Sequence, residues 1–353
     1  MGRTTRRYGL QAPLYCSDPW PLVAERIRTG CPPLQRAAAT ACLDQARDLY
    51  AAAVTRPVSA AKPLILYYCY LNLAKAYVLT LDQRRVLDRA QHGLSERLGP
   101  GQVELTDAYL DAYPSTGAKV NMFHEFMRAV SGSGLPAVTQ YDLPRLLPQV
   151  VPGHRLWTTA SDANKERFLG VERVEFMQDK RARQIWLRLL VFADGLATLN
   201  LNHAAFLDQS GLAPTWREVK CSDAIAGRKL VCFEQVTGHD YSSRPSDEVP
   251  NLVSSARSRL WATALMYAPW RRYYLYAAPP TDRATVLPQL AAIYVVTYYL
   301  GSIARYRPHH FQSILEGPYG PWMQSFLNEQ PTQFLFLLAS DIARQDLLKA
   351  AIA

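Results

Sequence analysis

The sequence predicts a mainly α protein: a helical bundle formed by N- and C-terminal helices, with a small β-containing (α+β) insert in the middle. Two patterns carry this expectation. Apolar residues recur at helical spacing over residues 33–98 and again over 281–352. Residues 184–202 and 228–237 are instead rich in β-branched and aromatic side chains. The implied division is 1–130 for the N-terminal helical part of the bundle, 131–280 for the mixed lobe and 281–353 for the C-terminal helices that complete it.

Taken in order, residues 34–53 form an Ala-rich helix without proline, 60–79 a more apolar one, and 83–98 a third that stops at Gly99-Pro100-Gly101. Pro114, the Ser131-Gly132-Ser133-Gly134 run, Pro136, Pro144, Pro148 and Pro152 break the next stretch into loops with a short helix around 122–130. In the centre a small antiparallel sheet is expected, with Ala193-Asp194-Gly195 as a hairpin signal. A helix over 252–267 and a strand over 270–278 follow. The pattern then returns to helix over 281–305, over 311–328 with an interruption at Pro318 and Pro321, and over 332–352.

The 353 residues, 49% of them hydrophobic, can fill a real core, which excludes a disordered or fibrous chain. Thirty-nine Lys and Arg against 30 Asp and Glu give a net charge of +9. That excess favours anionic partners such as RNA, nucleotides or an acidic protein face, although a basic protein that binds nothing anionic has the same balance. Cys16, Cys31, Cys42, Cys69, Cys221 and Cys232 include no C-x-x-C, so free thiols in a reducing, cytoplasmic compartment are expected. The basic start has no apolar run after it, so no secretory leader is expected. The uncharged stretch 284–304 is long enough to span a bilayer, but Pro288, Gln289, Thr297, Ser302 and its tyrosines fit a buried helix better.

Two apolar helices each carry one polar stripe. Tyr68, Asn72 and Lys75 repeat the spacing of Tyr298, Ser302 and Arg305, at i, i+4 and i+7. Cations and amides on such helices are costly to bury unpaired. They either snorkel at helix ends or line an anion-binding cleft between the two helices. Just beyond, Arg305-Tyr306-Arg307-Pro308-His309-His310 gathers two guanidinium groups and two imidazoles. Arg can grip a phosphate and His can move a proton near neutral pH, whereas the same cations could simply cap a helix ended by Pro308.

Weaker signals are Ser59-Ala60-Ala61-Lys62, matching Ser-x-x-Lys acyl transferases but without a following Lys-Thr-Gly, with Ser59 better read as a helix N-cap. His92 reads as a packing or capping histidine. His124 beside Glu125 has no second histidine at ligand spacing, so no metal is expected. No Walker loop or dinucleotide fingerprint is present, and no cofactor is expected.

The run Ser59-Ala-Ala-Lys62-Pro63 leading through Tyr67-Tyr68 to Asn72 and Lys75, followed by His92-Gly93-Leu94, resembles the N-terminal signature of the bacterial YaaC-like proteins. Tyr298-Tyr299, Ser302 and Arg305-Tyr306-Arg307-Pro308 resemble that family's second signature, so the likeness spans about residues 40–345. More remotely, Tyr67-Tyr68, Ala74-Lys75-Ala76 and His92-Gly93 are similar to the HEPN superfamily. Its catalytic members are metal-independent ribonucleases with an Arg-x(4–6)-His motif. Arg305 and His310 fit that spacing, although Tyr306 and Pro308 depart from the usual residues. The resemblance implies a cytoplasmic bacterial effector in phage defence or stress response that acts on RNA or on a nucleotide or dinucleotide. In that reading Arg305 and His310 are catalytic, and Lys75, Asn72, Tyr68, Ser302, Lys62, Arg307 and His92 bind substrate. The competing reading is a non-catalytic protein that docks on and regulates an enzyme of nucleotide metabolism, as a homodimer or hetero-oligomer without membrane contact.

Overall fold

The computed structural model describes residues 3–6, 14–55, 60–81, 87–97, 105–117, 119–151, 153–161, 166–257, 262–265, 272–343 and 346–349. Strands β1 (Arg3–Arg6) and β2 (Leu14–Cys16) precede helices α1 (Trp20–Gly30), α2 (Pro33–Val54) and α3 (Lys62–Leu81). Next come β3 (Leu94–Arg97), β4 (Tyr109–Ala112), α4 (Met122–Ser131), β5 (Thr139–Asp142), α5 (Leu143–Leu146) and α6 (His154–Ala160). The middle holds β6 (Phe168–Asp179), β7 (Gln184–Phe192), α7 (Ala193–Thr198), α8 (His203–Gln209), β8 (Trp216–Val219), β9 (Ala224–Ile225), β10 (Arg228–Gln235) and β11 (His239–Asp240). The chain continues through α9 (Pro245–Arg257), β12 (Ala262–Leu265), β13 (Arg272–Tyr276), α10 (Gln289–Tyr306), α11 (Pro308–Glu316), α12 (Gly320–Ala343) and β14 (Leu347–Lys349). Two compact units result, one of Met1–Leu14 with Lys165–Val286 and one of Tyr15–Asn164 with Leu287–Ala353.

The second unit is built around α3 and α10, which apart from one polar stripe each are largely apolar and mostly buried, as expected of helices in the middle of a core. Helix α2 packs along α3, and α4 and α12 pack against both α3 and α10. Tyr70 stacks on Phe334 with ring centroids 4.0 Å apart, and Phe126 lies 5.3 Å from Tyr294. Gly301 sets the closeness of α3 and α10: a Cβ there would lie 3.1 Å from Tyr67 Cβ and 3.2 Å from the Pro63 carbonyl oxygen. Beside these helices β3, β4 and β5 form a three-stranded antiparallel sheet, and β2 pairs with β14.

The first unit is a nine-stranded sheet with the path β12-β13-β6-β7-β10-β8, to which β1, β9 and β11 add on β6, β10 and β7. Its pairs are antiparallel. Leu169, Val171, Val174, Phe176, Leu187, Leu189, Val231 and Phe233 meet Leu196, Phe206 and Leu252 from α7, α8 and α9 in one apolar layer. Glu234, buried on β10, is held by Arg188 at 2.9 Å, Arg217 at 3.1 Å and the Trp186 indole N–H at 3.3 Å. Burial pushes its carboxyl up, but these donors outweigh burial and leave it below the usual range.

The protein is therefore α+β, and the expected bundle with a small insert is wrong: the strand-rich part is a nine-stranded sheet with its own core. The misreading has a specific cause in β6. Its inward residues are odd-numbered at Leu169 and Val171 and even-numbered at Val174 and Phe176, because a bulge between Val171 and Arg173 flips the alternation. No single two-residue period runs through the segment. Ala193-Asp194-Gly195 is not a hairpin but the first turn of α7, with Asp194 paired to Arg228 at 2.7 Å. The helix expected over 252–267 corresponds to the earlier α9 and to strand β12, and the last helix ends at Ala343 before strand β14. One helix, α12, runs unbroken through Pro331, since the buried faces of its 24 residues outweigh one lost backbone bond.

Residues 87–97, expected as helix, hold strand β3 instead. Their apolar spacing mimics a helix, but Gly93 at φ +76° turns the chain and brings it against Asn121. A Cβ on Gly93 would lie 2.8 Å from Asn121 Cβ. Gly93→Ala is expected to lower stability by at least about 1–2 kcal/mol from the left-handed backbone alone, read as a lower urea midpoint.

Among the described residues α3 is the one helix long and apolar enough to cross a membrane, and 67% of that window is buried within the protein. Helix α10, which covers most of the stretch 284–304, is likewise a core helix.

Candidate anion-binding site

The two polar stripes face one another. On α10, from Gln289 to Ser302, all residues but Tyr298 and Ser302 are buried, and Arg305 lies exposed one turn further on. On α3, Tyr68 and Lys75 are half-buried within an otherwise buried segment, and Asn72 between them is buried with its amide donating to the Tyr68 carbonyl at 2.9 Å. The Arg305 guanidinium donates to the Tyr68 hydroxyl at 3.2 Å, joining the stripes directly. Neither Lys75 nor Arg305 has a carboxylate partner among the described residues.

His92, on the loop before β3, completes the group. The buried Tyr67 hydroxyl lies 2.5 Å from His92 Nδ1, and the rings of Tyr67 and Tyr298 meet edge to face at 5.1 Å. Tyr298 donates to the Leu94 carbonyl at 2.8 Å, which ties the His92 loop to α10. Burial keeps the Tyr67 phenol far above its ordinary pKa, so its O–H is the donor in this pair. His92 is held below the ordinary histidine value by desolvation first, then by the charges of Lys75 and Arg305. With Nδ1 accepting, the neutral ring carries its proton on Nε2. The result is a neutral imidazole N–H donor that feels the charges of two cations and packs against the Tyr67 and Tyr298 rings.

Other expected site residues lie elsewhere. Lys62 is buried and donates to Asn328 Oδ1 at 2.9 Å, joining α3 to α12. Arg307 is paired with Glu96 on β3. His310 is only 4% exposed, with Nε2 3.5 Å from the Tyr299 hydroxyl, so it does not share the cleft surface with Arg305. His124 accepts the Leu135 backbone N–H at 3.1 Å and packs against Gly134. Ser59 lies outside the described residues. All six cysteines are free thiols.

Sequence pattern assigns no site role to Tyr67, which looks like core, or to Gly301, which looks like an ordinary helical glycine. A protein-family model described as YaaC-like Protein matches residues 33–342, which takes in α2, α3, the His92 loop and all of α10 and α11. The chain belongs to the YaaC-like family. No curated protein and no solved structure matches it. In this YaaC-like protein the matched span holds every residue of the cleft and also the whole sheet strand order from β6 to β13.

The electrostatics set a pH dependence. A bound phosphodiester favours the imidazolium, so the pKa of His92 in the complex lies above that in the free protein and binding takes up a proton. Affinity for a dinucleotide, whose single phosphodiester charge does not titrate near neutrality, is therefore expected to rise as pH falls from about 8 to about 5.5. Calorimetry at the two ends of that range measures the difference, and His92→Gln should abolish it. Equal affinities in the unmodified protein would show that His92 does not face the anion.

Proposed function

We propose that the protein binds the phosphate of a nucleotide, free or within RNA, in the cleft between α3 and α10. The observation that carries this is the convergence of Lys75 and Arg305, without carboxylate partners among the described residues, on the neutral His92. The half-buried Lys75 ammonium, without a carboxylate beside it, is stabilised by an anionic ligand, and the exposed Arg305 guanidinium suits two phosphate oxygens at once. Asn72 and Ser302 orient the ligand, and Tyr68 fixes the Arg305 fork.

The same set supports metal-independent phosphodiester cleavage. In RNA the ribose 2′-hydroxyl attacks the phosphorus and gives its proton to solvent as the bond to the 5′-oxygen breaks. Arg305 and Lys75 neutralise charge on the phosphoryl oxygens, and His92, protonated to the imidazolium beside the bound phosphate, passes a proton to that leaving oxygen and returns to its neutral form. His92 takes this role in our proposal because His310 is buried against Tyr299. We further propose that the protein works as a cytoplasmic bacterial effector in phage defence or stress response, as its two signatures imply.

The test is incubation of purified protein with total RNA and with a mixture of mononucleotides and dinucleotides, without added metal, followed by gel analysis and mass spectrometry alongside calorimetric binding. Binding of one of these ligands, with or without turnover, is the expected result. No binding to any of them would overturn the proposal.

A further inference from the structure

The ligand's phosphate is only part of what this site can read. Tyr306 ends α10 directly after Arg305 and is 65% exposed. The Arg305 guanidinium lies over its ring at 4.9 Å from the centroid, while donating to Tyr68 on α3. The phenol is close enough to Tyr298 to help push that residue's pKa up to about 12, after burial and Glu96. Tyr306 therefore stands at the rim of the same cleft. One ring face is engaged by the cation that would hold the phosphate, and most of the ring remains open to solvent.

Nothing in the packing of the fold requires an aromatic ring at this exposed position, and the phosphate chemistry of the cleft does not use it. An open π-face adjoining a phosphate-binding arginine matches the two ends of a nucleotide: the base stacks while the phosphate pairs. We infer that Tyr306 is the stacking platform for a nucleobase, so that the ligand is a nucleoside phosphate rather than a sugar phosphate or inorganic phosphate. This rests on the phosphate-binding reading of the cleft and adds its selectivity. Tyr306 is a specificity-determining residue in this account and does not touch the reacting phosphate.

The experiment compares the full-length protein with Tyr306→Ala and Tyr306→Phe by calorimetry, using adenosine monophosphate, ribose 5-phosphate and a short 5′-phosphorylated RNA as probes. Unmodified protein should bind the nucleotide more tightly than the sugar phosphate. Tyr306→Ala should weaken nucleotide binding by about 5- to 150-fold, the span of base–aromatic stacking, with ribose 5-phosphate unchanged. Tyr306→Phe should keep the nucleotide affinity, because the ring face is retained. The RNA arm separates the ligand's sources: selective loss with RNA alone assigns the base to a chain end, and loss with the free nucleotide assigns it to a small molecule. Equal losses for nucleotide and sugar phosphate, or no loss with either nucleotide probe, would overturn the inference while leaving the phosphate site standing. Failure of the unmodified protein to bind any of the three probes would overturn the phosphate site itself and this inference with it.

Discussion

Arg305→Ala is expected to weaken binding of a nucleoside monophosphate by about 10- to 100-fold, the cost of removing charge-assisted hydrogen bonds from a partly desolvated site. The side chain is exposed and its contacts are the Tyr68 hydroxyl and the Tyr306 ring, so the fold loses little. A thermal midpoint within a few degrees of the unmodified protein should accompany the loss. Arg305→Lys should recover only part of the affinity, because an ammonium keeps the charge but not the planar fork. The same variant has a readout that needs no ligand. Arg305 is one of the causes that hold His92 below its ordinary pKa, so the His92 titration should shift upward once Arg305 is gone. An unchanged His92 titration would mean that the two side chains do not share one electrostatic environment.

Gly301→Val is expected to affect both the fold and the site. A Cβ alone would already sit 3.1 Å from Tyr67 Cβ and 3.2 Å from the Pro63 carbonyl oxygen. Two further methyl groups must push α3 and α10 apart, and overpacking of this kind costs about 1–3 kcal/mol. The separation also moves Tyr67, and with it the phenol that holds His92. Nucleotide affinity should therefore fall in protein that is still folded, and more steeply than stability alone explains. Gly301→Ala, which asks the neighbours to yield by only a few tenths of an ångström, should show a smaller version of both effects. Unfolding midpoints and calorimetric affinities on the two variants check this ordering.

How much of this was legible in the sequence depends on how local the determining physics is. Helices α2, α3 and α4 and strands β7, β10 and β13 follow from periodicity within their own segments. Strand β6 could not be read that way, because the bulge near Arg173 reverses which residues point inward. Strand β3 was hidden by a helix-like spacing that Gly93 overrules through a left-handed turn against the distant Asn121. The fold class failed with these elements, since much of the nine-stranded sheet depends on β6, which pairs with β1, β13 and β7.

The site divides in the same manner. Both stripes, Tyr68-Asn72-Lys75 and Tyr298-Ser302-Arg305, are intrahelical patterns and stand out along the chain. Their meeting depends on a close crossing at Gly301, which is a property of two helices more than 200 residues apart in sequence. The pairing of His92 with Tyr67 is likewise tertiary. The burial of His310 did have a local signal: His310, Phe311 and Ile314 lie along one face of α11, and the two apolar neighbours direct that face inward. The pairings of Arg307 with Glu96 and of Lys62 with Asn328 are likewise invisible along the chain, since the partners lie far away in sequence.

The central claim is that the cleft around His92 receives a phosphate. The most direct measurement is nuclear magnetic resonance of protein carrying ¹⁵N-labelled histidine, titrated with adenosine monophosphate near pH 7. Of the seven histidines, His92 is expected to move toward the imidazolium signature as ligand is added, and the movement should disappear in Arg305→Ala. A His92 signal that stays fixed while nucleotide binds, or a response centred on His310 instead, would contradict it.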